Sequence, residues 1–421
     1  MNSIWRHFLD ILISINREQV KKPFSLYFSI IVSMGIAFIT TTLITRFLGA
    51  YKYGEFKFIT TTWVFLDLII SFGLYTSASR VLVLEQDARV MREIYWNIIF
   101  MTSAIGLLQF MLLYLIAEPL GALANSNIGH LLMVLSPLMI VYPLKGALTL
   151  ILQGSNKIYS LGILNILSAL LYLIFFYLLI SLNLVSVTNA LVAQQTSLLF
   201  VVLGIIVWSL KPRICNPFNH FGRIRKELIT YGWPVYVGSL ISVATSQATR
   251  MMIPMWVDMR ALGYFSLALQ FAEPLKMIPS VIATSSFREF SSANHISKKI
   301  LFRTNIISLL GFIGLFLFIS YPIDWLLGNE FAIVANMTRL AAIGAVLHGY
   351  GDLYNRFLGA HGKGRIIRNM TYAVGFVNVL SFILLTPYFK EWGAIFSTVL
   401  GSITYMGIMW LFYKREYGHN R

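Results

Sequence analysis

Residues Thr40–Phe56, with the sequence TTTLITRFLGAYKYGEF, end one long apolar segment and begin another. Arg46 closes the first segment, and two glycines then turn the chain into the second. A similar motif, MRALGYF, recurs at Met259–Phe265, where Gly263 aligns with Gly54. The recurrence predicts a chain built from two similar halves.

The composition predicts a helical protein with many membrane spans. Of the 421 residues, 57% are hydrophobic and only 12% are charged, about half the charged fraction of soluble proteins. The mean hydropathy is +0.72, and apolar segments of about 20 residues recur along the whole length. The net charge of +16 therefore indicates anionic lipid neighbours and not nucleic acid.

The hydropathy pattern predicts about twelve transmembrane helices. The expected spans are 24–47, 57–79, 96–117, 129–152, 158–181, 187–208, 229–253, 263–286, 300–320, 331–353, 366–386 and 392–413.

The longest connection between spans divides the chain into equal halves. We predict an N-terminal amphipathic helix at 1–22, six-helix bundles at 23–208 and 229–413, a basic linker at 209–228 and a tail at 414–421. An even number of helices in each half gives both halves the same orientation. The expected architecture is therefore two parallel repeats around a central cavity.

The distribution of Lys and Arg predicts that both termini are cytoplasmic. With that orientation, the connections on the outer side hold few basic residues, and the inner ones hold most of the rest. The outer ones are Lys52, Lys57, Arg260 and Lys390.

Five basic residues fall inside the predicted helices and are candidates for binding an anion. A buried Lys or Arg costs about 2.5–3.5 kcal/mol at mid-bilayer, so it normally faces a cavity or a partner. Phosphate is the anion that arginine matches best. The candidates are Arg46, Lys145, Arg250, Lys276 and Arg339.

Alternatives stay open for most of these cations. Arg46, Arg250 and Arg339 lie toward helix ends, from which they can extend to lipid phosphates. Lys276 follows Glu273 by three residues, a spacing that also predicts a local ion pair. Lys145 has no nearby acid in the sequence, which favours a role with a substrate or another helix.

Acidic residues inside the spans are rarer. Asp67 and Glu273 are candidates for charge balance or for carrying a coupling proton, because burial raises carboxyl pKa values. Asp352 lies one turn before Arg356 and predicts another local ion pair. We predict no catalytic residues, no metal site and no cofactor, with proton or sodium coupling left open.

The motif RFLGAYKYGEF at 46–56, the sequence LQGSNK at 152–157 and the twelve-helix plan resemble the polysaccharide-transport group of the MOP flippase superfamily. The most similar group is the O-antigen (Wzx-type) flippases. The resemblance implies a MATE-like fold and transport without a catalytic site. It also implies an undecaprenyl-pyrophosphate-linked oligosaccharide as substrate, moved across the bacterial inner membrane by alternating access.

Three other functions remain open at this stage, one of them a scaffold within the polysaccharide-assembly machinery. A multidrug or cation antiporter of the MATE class would favour acidic residues in its cavity. A membrane enzyme of polysaccharide assembly would need a larger region outside the membrane than these short outer loops provide. Other polysaccharide-assembly proteins are further candidate partners, as is the lipid bilayer itself.

Overall fold

The computed structural model describes residues 17–417, apart from the side chains of residues 17–20, 23, 24, 241, 242, 288 and 365. Most of the predicted amphipathic helix at 1–22 thus lies outside the described residues. The described part is helical and contains no strand. Its α-helices are α1 (Arg17–Ile70), α2 (Leu74–Leu84), α3 (Ala88–Leu123), α4 (Ile128–Leu135), α5 (Val141–Gly154), α6 (Ile158–Ser181), α7 (Val187–Ile205), α8 (Phe221–Glu227), α9 (Trp233–Trp256), α10 (Met259–Ser285), α11 (Phe287–Ser292), α12 (Lys298–Phe318), α13 (Ser320–Leu327), α14 (Ala332–Ala360) and α15 (Gly364–Tyr417).

Long apolar helices confirm the predicted fold class of an all-α membrane protein. Within residues 17–417, nine helical segments are long and apolar enough to cross a membrane. Two of these are too long for one crossing and contain a break, at Gly49 in α1 and at Lys390 in α15. Each break falls between two predicted spans. The exact number of spans and the arrangement of two six-helix bundles stay predictions.

The break in α1 uses the first glycine of the recurring motif. Gly49 has φ 74° and ψ 171°, a backbone conformation that residues with a side chain rarely adopt. Glycine at this position therefore lets α1 change direction between the first and second predicted spans.

The two copies of the recurring motif pack against each other through glycines. A Cβ atom on Gly54 would lie 1.7 Å from the carbonyl oxygen of Met259, and one on Gly263 would lie 2.5 Å from that of Ala50. Each glycine thus meets the residue four positions before the other glycine. Such reciprocal contacts are typical of surfaces related by a two-fold axis. The contact supports the relationship between the motifs that their sequences predict.

Residue contacts group the chain into two compact units that are interleaved along the sequence. The first comprises residues 1–44, 70–114 and 134–236, and the second comprises 45–69, 115–133 and 237–421. The predicted division of the chain at 209–228 stays a prediction.

In the first unit, α2 packs on α5, and α6 packs on α7. Its hydrophobic core includes Leu82, Ile98, Leu152 and Val202, each almost fully buried. This core provides the apolar contact area that holds the hairpin of α6 and α7 in place.

Ion pairs fasten the basic linker to the rest of the first unit. Arg223 Nη1 lies 2.7 Å from Glu85 Oε2, and Arg80 Nε lies 3.1 Å from Glu227 Oε2. The backbone N–H of Asp87 and the Arg223 guanidinium both lower the pKa of Glu85. These charge-assisted contacts hold both ends of α8, the helix within the linker, against the rest of the first unit.

In the second unit, α10 packs along α14, and α14 packs along α15. Glycines allow these helices to approach closely. A Cβ atom on Gly349 would lie 2.6 Å from the Lys276 carbonyl oxygen, and one on Gly351 would lie 2.3 Å from the Tyr405 ring. The close packing places polar side chains of α10, α14 and α15 next to one another.

Candidate functional site

A polar cavity of about 520 Å³ lies within the second unit, between α9, α10, α14 and α15. Each helix contributes residues spaced three or four positions apart, so that one face of the helix lines the cavity. The charged and titratable side chains in its lining are Arg250, Glu273, Lys276, His348, Asp352 and Tyr405. Three of these, Arg250, Glu273 and Lys276, were predicted from the sequence.

Glu273 links the two basic residues of the cavity. Lys276 Nζ lies 3.4 Å from Glu273 Oε1, which is the local ion pair that the spacing on α10 allows. Arg250 on α9 also interacts electrostatically with Glu273. The carboxylate thus forms an ion pair with Lys276 and lies close enough to Arg250 for its charge to be felt there.

A second acidic group enters the cavity from α14. The Tyr405 hydroxyl donates a 3.0 Å hydrogen bond to Asp352 Oδ1, and Asn355 Nδ2 donates a 2.7 Å bond to the same hydroxyl. The His348 ring packs on Tyr405, with ring centroids 4.7 Å apart. The ion pair that the sequence predicts between Asp352 and Arg356 is not formed within 4 Å.

Sequence reasoning missed this second group as part of a site. Ala341, Ala345, His348, Asp352 and Asn355 all line the cavity, and they follow one another along α14 at spacings of three and four. That spacing is typical of one helix face. A search for polar residues at helical spacing along α14 would have predicted that His348, Asp352 and Asn355 share one face.

Uncharged polar groups complete the lining. The buried Oδ1 atom of Asn378 has no hydrogen-bond partner among the described residues. An unpaired buried acceptor is costly unless a ligand or water supplies a donor. Other hydroxyls in the lining belong to Thr245, Ser246, Thr371, Thr398 and Ser402.

The cavity carries balanced charges. With a neutral His348, two cations and two carboxylates give a formal charge of zero. The excess of basic over acidic residues in the predicted spans therefore does not extend to the lining of this cavity.

Arg339 is engaged in helix packing and does not line the cavity. Its guanidinium donates to the Phe316 carbonyl at 2.9 Å, to Ser320 Oγ at 2.8 Å and to Asn336 Oδ1 at 2.5 Å. These contacts join α14 to α12 and α13. They satisfy the side chain without a phosphate.

The remaining candidates also lie outside the cavity lining. Arg46 is exposed on α1, three residues before the break, and Lys145 is exposed on α5 in the first unit. Lys145 forms no ion pair with a described acidic residue. Asp67 is half-buried on α1. Their proposed roles with substrate or coupling ion stay predictions.

Comparison with known proteins identifies both a family and a fold. The family described as "Polysaccharide biosynthesis protein" matches residues 20–288. None of the curated protein sequences is significantly similar to this one.

Solved structures with the same fold are transporters. The lipid II flippase MurJ in an inward-closed conformation has a TM-score of 0.75 and 14% identity, covering 94% of this chain and 87% of that one. An inward-facing multidrug resistance transporter of the MATE family has a TM-score of 0.71 and 12% identity, covering 92% and 94%. A MOP superfamily transporter from Pyrococcus furiosus has a TM-score of 0.64 and 14% identity, covering 94% and 96%. At these identities, the likeness shows the fold alone.

Proposed function

This chain belongs to the polysaccharide biosynthesis protein family of the MOP flippase superfamily, and we propose that it is a flippase for lipid-linked oligosaccharides. The substrate is an undecaprenyl-pyrophosphate-linked repeat unit of O-antigen or of another polysaccharide. The protein moves it from the cytoplasmic to the periplasmic leaflet of the bacterial inner membrane by alternating access, without catalysing a reaction.

The lining of the cavity in the second unit carries this proposal. Arg250 and Lys276 face the cavity, and arginine can bind a phosphate through two parallel hydrogen bonds. The amides and hydroxyls around them match the hydroxyl groups of a sugar, which need both donors and acceptors.

The balanced charge of the cavity suits a transporter, which must release its substrate as well as bind it. Glu273 forms an ion pair with Lys276 and interacts electrostatically with Arg250. A diphosphate then competes with Glu273 for the two cations. Glu273 is also a candidate for coupling transport to a proton gradient. Sodium remains the alternative coupling ion, and Asp67 a second coupling candidate.

Alanine variants at the two cavity cations test the phosphate role. A strain lacking the gene receives wild type, Arg250→Ala, Lys276→Ala or the double variant, and surface polysaccharide is compared at matched protein levels. We expect loss of surface polysaccharide and accumulation of lipid-linked repeat units inside the cell. Lys145→Ala tests the predicted site in the first unit in the same way.

Arg303→Ala is the matched control for these variants. Arg303 lies on α12, is exposed and does not line the cavity. We expect this variant to support normal polysaccharide. Normal polysaccharide from the Arg250 and Lys276 double variant would refute the role of the cavity in binding phosphate.

A multidrug or cation antiporter of the MATE class is the second candidate. The carboxylates of Glu273 and Asp352 in the cavity favour it, since they can attract a cationic drug. Deletion would then increase drug susceptibility and leave surface polysaccharide unchanged. The opposite pattern supports the flippase.

A further inference from the structure

An apolar groove of about 290 Å³ runs between α6 and α7 in the first unit. Ile163, Leu167 and Leu171 line it from α6, and Phe200 and Gly204 line it from α7. A Cβ atom on Gly204 would meet no atom within 4 Å, so the groove stays open at its centre. Both helices are apolar enough to cross a membrane. The groove between them is therefore expected to face the acyl chains of the bilayer.

The groove has one polar end. Ser160 and Ser209 line it there, and their hydroxyl oxygens lie 2.7 Å apart in a mutual hydrogen bond. Lys157 Nζ donates a hydrogen bond to the Ser209 carbonyl oxygen. The exposed Trp208 ring stands beside this end, as aromatic side chains do at the level of lipid headgroups.

Three cations without acidic partners gather at this polar end. Arg92 Nε donates a 2.6 Å hydrogen bond to the Lys211 carbonyl oxygen, which brings Arg92 next to the end of α7. Burial and then the positive charges of Arg92 and Lys211 lower the pKa of Lys157. None of the three forms an ion pair with an acidic residue in the described part of the chain. Like charges held this close are stabilised by an anion.

We propose that this groove binds an anionic phospholipid, with its phosphate at Lys157, Arg92 and Lys211 and one acyl chain along α6 and α7. Basic pockets between transmembrane helices on the cytoplasmic side are typical sites for anionic headgroups. The excess of Lys and Arg on this side of the protein predicts that this end is cytoplasmic. The site is separate from the cavity in the second unit, and it does not depend on the proposed flippase function.

The groove fits a phospholipid better than a lipid-linked sugar. Its lining is apolar except for Ser160 and Ser209, which already bond to each other. Few polar groups are therefore left for the hydroxyls of an oligosaccharide. The hydrogen bonds of Lys157 and Arg92 to backbone carbonyls also hold the cations in fixed positions, as a permanent lipid site requires.

Native mass spectrometry of the purified full chain tests the proposal, with phosphatidylglycerol as the probe and phosphatidylethanolamine as its zwitterionic comparison. We expect tighter binding of phosphatidylglycerol. One exposed cation near a lipid surface contributes about 1 kcal/mol, so Lys211→Gln should weaken binding roughly fivefold.

Gly204→Leu tests the groove itself, because a Cβ atom there meets nothing within 4 Å and the rest of the leucine side chain would occupy the groove. Gly314→Leu on α12 is its matched control, since a Cβ atom there also meets nothing within 4 Å. We expect Gly204→Leu to lose most of the bound phosphatidylglycerol and Gly314→Leu to keep it, with both variants as thermally stable as wild type.

Three results would overturn the proposal. These are equal binding of the two phospholipids, undiminished phosphatidylglycerol binding in Gly204→Leu together with Lys211→Gln, and displacement of phosphatidylglycerol by an equal concentration of undecaprenyl phosphate. The last result would assign the groove to polyprenyl lipids. Because surface polysaccharide is not measured, failure here is distinguishable from failure of the flippase proposal.

Discussion

The glycine contact between the two copies of the recurring motif predicts a specific loss of stability. Gly54→Ala places a Cβ atom 1.7 Å from the Met259 carbonyl oxygen, where ordinary contact begins at 3.4 Å. Gly263→Ala places one 2.5 Å from the Ala50 carbonyl oxygen. Both obstacles are backbone atoms, so the helices must separate, and they must move further at Gly54.

The size of the effect follows from two opposing terms. Overpacking a close contact costs about 1–3 kcal/mol, and we expect Gly54→Ala to reach the upper end of that range. Replacing glycine with alanine inside a helix stabilises the fold by about 0.5–1 kcal/mol, because alanine favours the helical conformation more than glycine does. The net expectation is a clear destabilisation by Gly54→Ala and a smaller one by Gly263→Ala.

Thermal unfolding of the purified protein in detergent measures this order directly. Gly314→Ala is the control, because its Cβ atom meets nothing within 4 Å and only the favourable helix term remains. We expect apparent Tm values that rise from Gly54→Ala through Gly263→Ala and wild type to Gly314→Ala. A Gly54→Ala variant as stable as the Gly314→Ala control would refute the packing argument.

Three further changes have expected outcomes. Tyr405→Phe removes the hydroxyl that joins a carboxylate to an amide in the cavity, so we expect about 1–3 kcal/mol lower stability, measured as a lower apparent Tm. Arg339→Ala should also lower the Tm but leave transport intact at matched protein levels, because its guanidinium bonds to α12, α13 and its own helix and does not line the cavity. The Asp87 N–H and Arg223 lower the pKa of Glu85 from 4.5, so this contact stabilises the fold above that pH and is lost as the pH falls below it. The Tm of wild type should therefore fall more steeply below pH 4.5 than that of Glu85→Gln, and equal slopes would contradict the assignment.

Transmembrane class and helix positions were predictable because both depend on local sequence. The predicted spans coincide with helical segments, although a turn interrupts the one at 57–79 and a 3-10 helix the one at 129–152, and the motif at 46–56 located the break at Gly49. A continuous apolar segment must become a helix in lipid, where its backbone groups have no other partners. This requirement does not depend on the rest of the fold.

The candidate site was only partly predictable. Arg250, Lys276 and Glu273 line one cavity, whereas Arg339 resembles them in the sequence but bonds to its neighbouring helices. Asp352 was assigned to a local pair with Arg356 and instead accepts a hydrogen bond from Tyr405. In each case, a charge in a span predicts that a partner is needed without identifying the partner.

The amino-acid sequence by itself determined that this chain is a helical membrane protein with a repeated turn. Only the tertiary structure decided which polar side chains share a cavity and which cations stay without acids. The physical reason is that the hydropathy and the helical periodicity of a segment depend only on the residues of that segment. The rotation of a helix about its own axis, in contrast, is set by packing against helices that are distant in the sequence.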